Sequence, residues 1–409
     1  MDQAHTRCPI GHLPCGPLSG TRVIELGHWM AGPLAGSLLA DWGADVIKIE
    51  PPGGDPMRTI FARMGAREGT PNGAFTLANR GKRSIVIDVK TPEGQDAFER
   101  LLHHGDVLLT NLRPDALQRM KLDAESVRNR HPRLVYCSVS AYGWGGPDQD
   151  RPGYDIAAFF GRTGISHEIT TEGTEPPALL QGIGDAFTAL SAAAGILAAL
   201  MERNRTGLGR FVETSLMRTG MWALGGELGQ QALGGRPRPP RPRERSRTPL
   251  YNSYRTADGR WLFLVGVEAQ RHLPALLRAI DRADLIQDER YRTARSIADH
   301  SVELIRLLDE VFEKQPLSYW KHRLDRHEVW WAPVQTPEEV LDDPQAAAVG
   351  AWLEIDGRRS VDNPVRFDFI HRSDVKPAPS AGEQTAAILA ECGYGDYEIQ
   401  QFLAQANTK

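Results

Sequence analysis

Cysteine is scarce: Cys8, Cys15, Cys137 and Cys392 are the four in 409 residues. They are too few and too scattered for a disulfide framework, and a reducing compartment fits them. Long apolar runs are missing as well. No stretch of about 18 apolar residues occurs, and LSAAAGILAAL (Leu190 to Leu200) is too short to span a bilayer. The opening MDQAHTRCPIGHLPCGPLSG has no apolar signal region, so a cytoplasmic location is expected. A strong net charge is absent too: −4 overall, with a pI near 6.3, gives no general attraction to nucleic acid or anionic membrane. Any anion site must be local. There is no internal repeat. His5, Cys8, His12 and Cys15 are zinc-ligating types, but their spacing matches no standard finger, so residues 1–18 read as a flexible tail and no metal is expected.

What is present is a soluble-protein balance, 41% hydrophobic and 24% charged, in a chain long enough for two domains or one large domain with an added lobe. TRVIEL (Thr21 to Leu26) reads as a buried strand, PLAGSLLADW (Pro33 to Trp42) as a helix stopped by Gly43, and ADVIKIE (Ala44 to Glu50) as the next strand. The alternation continues through RSIVIDV, a helix opened by Thr91-Pro92, DVLLTN and LVYCSVS. This predicts an α/β fold with a mostly parallel sheet. Glu50 ends the second strand where a ribose-binding carboxylate sits in dinucleotide folds. The glycines argue otherwise: GHWMAGPLAG places Gly27, Gly32 and Gly36 too far apart for the G-x-G-x-x-G pyrophosphate turn.

Farther on, a helix rich in alanine and glycine is predicted over Asp185 to Arg203, followed by the strand or strand-to-helix entry RFVETSL. RPRPPRPRERSR (Arg236 to Arg247) must be an extended surface segment and marks a boundary. YNSYRT and RWLFLVGV flank Ala257-Asp258-Gly259 as a hairpin, and VWWAPV (Val329 to Val334) reads as a strand returning toward the core.

Three segments carry candidate chemistry. NRGKRS (Asn79 to Ser84) offers Lys82 and Arg83 to phosphate. NLRPDALQRM (Asn111 to Met120) lies at the carboxyl end of a strand, where open α/β sheets place ligands, and its Arg113 and Arg119 can flank an extended one. SAYGWGGPDQDRPGYDIAAFF (Ser140 to Phe160) ends a strand in a Gly-rich turn and sets Asp155 before an apolar helix. Taken alone, Asp155 reads as a helix N-cap and the cations as a solvated basic face.

Together and in order, GTRVIELGHWMAGPLAGSLLADWGADVIKIEPPGGDPMR, NRGKRSIVID, NLRP and SAYGWGGPDQDRPGYD resemble the family III CoA-transferases, the group of formyl-CoA transferase and the carnitine CoA-transferases. The similarity runs from about Ser19 to the C-terminus. It implies a large Rossmann-like CoA-binding domain over 19–225 and 327–409, a smaller α+β domain over 226–326, and an interlocked homodimer. It implies transfer of CoA from an acyl-CoA to a free carboxylic acid, with Asp155 as nucleophile, through an aspartyl anhydride and an aspartyl-CoA thioester. CoA contacts carried over by the resemblance fall on His28, Trp29, Ala78, Asn79, Arg80, Gly81, Asn111, Leu112, Arg113, Arg119, Met120, Ser140 and Tyr142. CoA is then the substrate, and neither a metal nor a further cofactor, nucleic acid or membrane is called for.

The sequence departs from formyl-CoA transferase at Met30, where that enzyme has glutamine, and at Pro51, where it has a CoA-contacting arginine; formate and oxalate are disfavoured as substrates. Its flexible glycine loop is not evident, and the Arg236 to Arg247 segment stands there instead, either as a solvated linker or with an arginine reaching the acceptor carboxylate or CoA phosphates. The α-methylacyl-CoA racemases share the fold and carry G-H-D-x-N-Y. Here Gly153-Tyr154-Asp155-Ile156-Ala157-Ala158 favours transfer. His131 is the nearest candidate for a racemase histidine but reads as a helix end, and Glu268 does not discriminate. A non-catalytic acyl-CoA-binding protein would keep the cationic loops and have no use for Asp155. Trp222, Trp261, Trp330 and Trp331 either line an acyl pocket or fill cores.

Overall fold

Six short segments, the four central ones buried on both faces, pair into one sheet, the condition under which parallel strands are stable. A computed structural model describes residues 16–67, 69–235, 241–368 and 375–406. The strands are β1 (Arg22–Leu26), β2 (Asp45–Glu50), β3 (Arg83–Val86), β4 (Val107–Thr110), β5 (Val135–Ser140) and β6 (Phe211–Ser215). Their order is β3-β2-β1-β4-β5-β6, and every pairing is parallel. Side chains alternate between faces. Val23, Val46, Val107 and Val135 join one core and Ile24, Ile47, Leu108 and Tyr136 the other.

Helices Ala31–Asp41 and Ile183–Thr206 cover the first face, and Pro92–His103, Ala124–Arg130 and Thr385–Glu391 the second. Ile183–Thr206 is long and apolar enough to cross a membrane, and Ala189, Ala192, Ala193, Ile196 and Ala199 bury one face of it in the core. Its Gly195 permits close approach, since a Cβ there would lie 2.6 Å from Val212 Cγ1. The C-terminal stretch returns to the sheet edge: Ser84 N–H donates to Gln384 Oε1 at 2.8 Å and Gly382 N–H to Ser84 Oγ at 2.8 Å. The strand order reverses at β1, which lies between β2 and β4. The carboxyl ends of β1 and β4 therefore flank the switch point where open α/β sheets hold ligands.

Gly36 gives a test of this packing. In a helix interior alanine is ordinarily better than glycine by about 1 kcal/mol. A Cβ at Gly36 would instead collide with Glu25 Oε2, which holds the buried Lys82. Gly36→Ala is expected to lower the denaturant midpoint, by about 1–3 kcal/mol of stability. An unchanged or raised midpoint would contradict the packing.

The described residues sort into two units, one of 16–166, 178–235 and 348–406, the other of 167–177 and 241–347. The first also holds the hairpin β10 (Trp352–Ile355) and β11 (Arg358–Val361), turned by Asp356 (φ 50°) and Gly357 (φ 71°), the pair of left-handed residues that a two-residue hairpin requires. In the second, β7 (Tyr251–Arg255), β8 (Trp261–Val265) and β9 (Trp331–Pro333) form an antiparallel sheet. Helices Ala269–Ala279 and Ser301–Phe312 close its core through Leu273, Leu277, Leu304 and Leu308. Trp331–Pro333, expected to return toward the large core, instead completes this small sheet. Its extended backbone finds its ladder partners in β8.

Candidate active site

The loops after β1 and β4 are tied by one side chain. Asn111 Oδ1 accepts the His28 N–H at 2.9 Å, and its Nδ2 donates to the His28 carbonyl at 2.7 Å. Two glycines make room for it: a Cβ at Gly27 would stand 2.7 Å from Asn111 Oδ1, and one at Gly32 would stand 3.2 Å from Asn111 Cγ. Glycines that fail the dinucleotide spacing thus have a different task. Trp29 follows in the left-handed region, φ 64°, with its N–H on Asp55 Oδ1 at 3.3 Å. A non-glycine residue held there marks a loop fixed by its surroundings.

Under this loop lies a fully buried charge cluster. Lys48 bridges Glu25 at 3.2 Å and Asp55 at 2.8 Å and donates to the Gly27 carbonyl at 3.1 Å. Lys82 donates to Glu25 at 2.6 Å, to the Pro33 carbonyl at 2.8 Å and to Asn79 at 3.2 Å. Lys82 is therefore interior, and Arg83 is held by Asp45 and Glu391, each at 2.6 Å. The expectation that these two meet phosphate is corrected: their anionic partners are distant in sequence and adjacent in the fold. Burial lowers the Lys82 pKa to about 8 against the opposing pull of Glu25.

Of the neighbouring candidates, Ala78 and Asn79 are buried, and Arg80, 2% exposed, commits its guanidinium to Asp41 at 2.8 Å and to the Val361 carbonyl at 2.6 Å. Gly81 (φ 73°) gives its N–H to the Lys376 carbonyl. Side chains of residues 78–80 are thus buried within the unit.

Asp155, 2% exposed, heads the turn Ile156–Gly161, which is a π-helix and not the α-helix the cap pattern suggests. Its Oδ1 accepts the Ile156 N–H at 2.8 Å and its Oδ2 the Gly182 N–H at 2.6 Å. Gly182 (φ 91°) precedes helix Ile183–Thr206, and the sequence reading passed it over. Its signal was a glycine followed within one helical turn by an acid, Gly182-Ile183-Gly184-Asp185. The first loop meets this carboxylate from the side: Trp29 packs edge-on to Tyr154 at 5.6 Å between centroids, and Met30 Cε lies 3.9 Å from the Cβ position of Gly182. Tyr142 covers Gly153, where a Cβ would be 2.9 Å from its ring, and Ser140 Oγ accepts the Gly143 N–H at 2.9 Å.

The structure therefore brings His28, Trp29, Asn111, Tyr142 and Asp155 to one end of the sheet. Arg113 is exposed at the head of the short helix Pro114–Arg119, and Arg119 is exposed at its end, paired with Asp115 at 2.8 Å. Leu112 and Met120 pack on the second core. His131 belongs to the opposite end: it precedes β5, whereas Asp155 follows it, roughly 16 Å of strand away. It bonds Glu99 at 2.7 Å. Of the Arg/Pro segment, Arg236 and Arg238 lie outside the described residues, as do His5, Cys8, His12 and Cys15. Arg243 and Arg247 pair with Asp309 and Asp299. Trp222 and Trp330 are surface residues, 81% and 52% exposed, and Trp331 packs at the edge of the small core.

Burial lowers the His28 pKa from its ordinary 6.5, with Asp55 opposing, so its ring is neutral at pH 7. The unfolded chain takes up that proton first as pH falls below 6.5, and stability should decline from there to the folded pKa. An NMR titration placing His28 at or above 6.5, or an unchanged acid slope in His28→Gln, would contradict this.

Comparison with known proteins agrees with the geometry. The family described as CoA-transferase family III matches residues 18–385. The (R)-2-hydroxy-4-methylpentanoate CoA-transferase of Clostridioides difficile is 32% identical, over 94% of this chain and 98% of its own. The cinnamoyl-CoA:phenyllactate CoA-transferase of Clostridium sporogenes is 33% identical, over 94% and 95%. A CaiB/BaiF family protein from Brucella suis superposes with a TM-score of 0.80 at 31% identity, covering 92% of this chain and 100% of that one. The chain belongs to CoA-transferase family III.

Proposed function

We propose that Asp155 is the nucleophile of this CoA-transferase. The observation that carries the proposal is its placement: a buried carboxylate beyond the carboxyl end of β5, held by the Ile156 and Gly182 amides beside the loops of the switch point. Fixing a carboxylate against a thioester carbonyl in a site shielded from water offsets its weak nucleophilicity. Attack gives an acyl-aspartyl anhydride and frees CoA. The CoA sulfur then attacks the Asp155 carbonyl, releasing the first acid and leaving aspartyl-CoA. The acceptor acid displaces CoA to form a second anhydride, and CoA attacks its acyl carbon. Backbone amides of the adjoining glycine turns are the oxyanion donors.

For CoA itself, Arg113 and Arg119 are the exposed cations that suit its phosphates, with His28, Trp29, Asn111, Leu112, Met120, Ser140 and Tyr142 around its chain. Residues 78–81 contribute through backbone, because the Arg80 side chain is already paired. Trp29, Met30 and Tyr154 present an apolar face beside Asp155, which favours an acyl group with an apolar body, as in the hydroxy-methylpentanoate and phenyllactate enzymes. The first unit is assigned to CoA binding and the reaction to the cytoplasm.

Exposed apolar residues on the same unit, among them Leu180, Leu190, Trp222 and Leu233, support an interlocked homodimer. Light scattering should give twice the 45.2 kDa of one chain; a monomer mass at micromolar concentration would overturn that assignment.

The reaction is tested by incubating the protein with a panel of acyl-CoAs and trapping with hydroxylamine or borohydride. Modification confined to Asp155 is expected. Exchange of an α-proton without an adduct would assign a racemase, and neither outcome a binding protein.

A further inference from the structure

A second carboxyl stands beside Asp155 and has no role so far. Asp185 lies in the first turn of helix Ile183–Thr206, three residues after the Gly182 whose amide holds Asp155 at 2.6 Å. That turn packs directly on the nucleophile: a Cβ at Gly184 would be 2.8 Å from Asp155 Cβ. Asp185 is half-buried, and its carboxyl makes no hydrogen bond or ion pair to any described residue.

The two acids are not equivalent. Asp155 accepts two backbone N–H groups; Asp185 accepts none. Backbone donors favour a charged carboxylate and burial without donors favours a neutral one, so of two neighbouring carboxyls Asp185 is the one placed to keep a proton. Burial, and next the charge of Asp155, raise the Asp185 pKa from 3.8 to about 7. Among the described residues, Ala31–Asp41, Leu216–Ala223, β5, β6 and the turn Ile156–Gly161 pack on this helix and carry Asp41, Glu213 and Arg218, and the charge that shifts Asp185 is that of Asp155.

We propose that Asp185 is the proton carrier of the transfer reaction, neutral while Asp155 is a free carboxylate and ionised once Asp155 is acylated. This rests on Asp155 being the nucleophile. As Asp155 Oδ attacks the thioester carbon, the C–S bond breaks, its electron pair goes to sulfur, and the Asp185 O–H proton follows it. The products are the anhydride, CoA thiol and the Asp185 carboxylate. Acylation has removed the neighbouring negative charge, so the new one is tolerated. When the thiol attacks the Asp155 carbonyl, Asp185 takes the proton back and the departing acid leaves as its carboxylate. No proton is consumed. A carrier near 7 is well matched to a thiol, whose ordinary pKa is about 8.5.

The test uses the full-length enzyme, its Asp185→Asn and Asp185→Glu variants, and Asp155→Asn. Infrared difference spectra at pH 6 should show a protonated carboxyl in the wild type that Asp185→Asn lacks. In Asp155→Asn the same band should disappear at a lower pH, because the repelling charge is gone. With cinnamoyl-CoA and succinyl-CoA as probes, Asp185→Asn should acylate Asp155 on the order of 100-fold more slowly, with KM nearly unchanged. The wild type should slow on the alkaline side and Asp185→Asn should not, and Asp185→Glu should restore part of the rate. Wild-type enzyme that neither probe labels at Asp155 would overturn the nucleophile assignment, while the infrared band still judges where the proton sits. Labelling at wild-type rate and with a wild-type pH profile in Asp185→Asn, or no Asp185 band at pH 6, would overturn the carrier. If Asp185→Asn folds poorly, the shift of the band in Asp155→Asn decides.

Discussion

Asp155→Ala is expected to reduce acyl transfer by 10³-fold or more, on the order seen when a nucleophile that acts as one unit with its site is removed. The hydroxylamine-trappable adduct should vanish with it. Stability should fall far less, by about 1–2 kcal/mol, because what the fold loses is an acceptor for the Ile156 and Gly182 amides at the head of two turns. Asp155→Asn keeps one acceptor oxygen and should be closer to wild type in stability but equally inactive. Steady-state rates together with a denaturation midpoint separate the two effects. A variant that keeps a tenth of its activity would show that the carboxylate only caps the turn.

Glu25→Gln is expected to be the most destabilising single change in the large unit. Glu25 accepts from both Lys48 and Lys82, and all three side chains are fully buried. Removing its charge leaves two ammonium groups sharing Asp55, a loss of about 3–5 kcal/mol. The deficit has a pH signature. The folded-state pKa of Lys82 is lowered to about 8, below its ordinary 10.5. Between those values the unfolded chain holds a proton the folded chain has released, so stability rises with pH there. Without Glu25 the folded pKa falls further, and the variant's deficit should be smaller at about pH 9 than at about pH 7. Denaturation at the two pH values checks this; a deficit that grows with pH would contradict the cluster's arrangement. Because Lys48 and Asp55 also hold the Gly27 carbonyl and the Trp29 amide, the surviving folded fraction should bind CoA less tightly.

The same cluster shows where sequence and structure part company. Strands such as TRVIEL and LVYCSVS were legible because continuous apolar runs with glycine stops leave few alternatives. The cap role of Asp155 was legible because Gly153 and the apolar run after it are local signals. What a charge does was not. Lys82, Arg83 and Arg80 look alike in NRGKRS, yet each is neutralised by an acid on another element: Glu25, Asp45 and Asp41. Only the strand order brings those acids close. Gly27 and Gly32 fail the dinucleotide motif, and their use, admitting Asn111, depends on a residue beyond three further strands. The helix beginning near Asp185 was legible, but that its start folds back onto Asp155, through the Gly182 amide, depends on contacts between segments 27 residues apart. His131 shows the converse: its distance from Asp155 in space follows from the direction of β5 alone.

The route of oxygen gives the most direct test of the nucleophile. Turnover with an acceptor acid labelled with heavy oxygen in its carboxyl group, followed by peptide mass analysis, reads it in one experiment. In the anhydride route the acceptor's oxygen joins Asp155, and CoA then attacks the acyl carbon, so the peptide spanning Asp155 should retain one heavy oxygen after a single turnover and one or two after many. Full product formation with no label in that peptide would mean that the acid attacks the thioester directly, and that Asp155 is not the nucleophile.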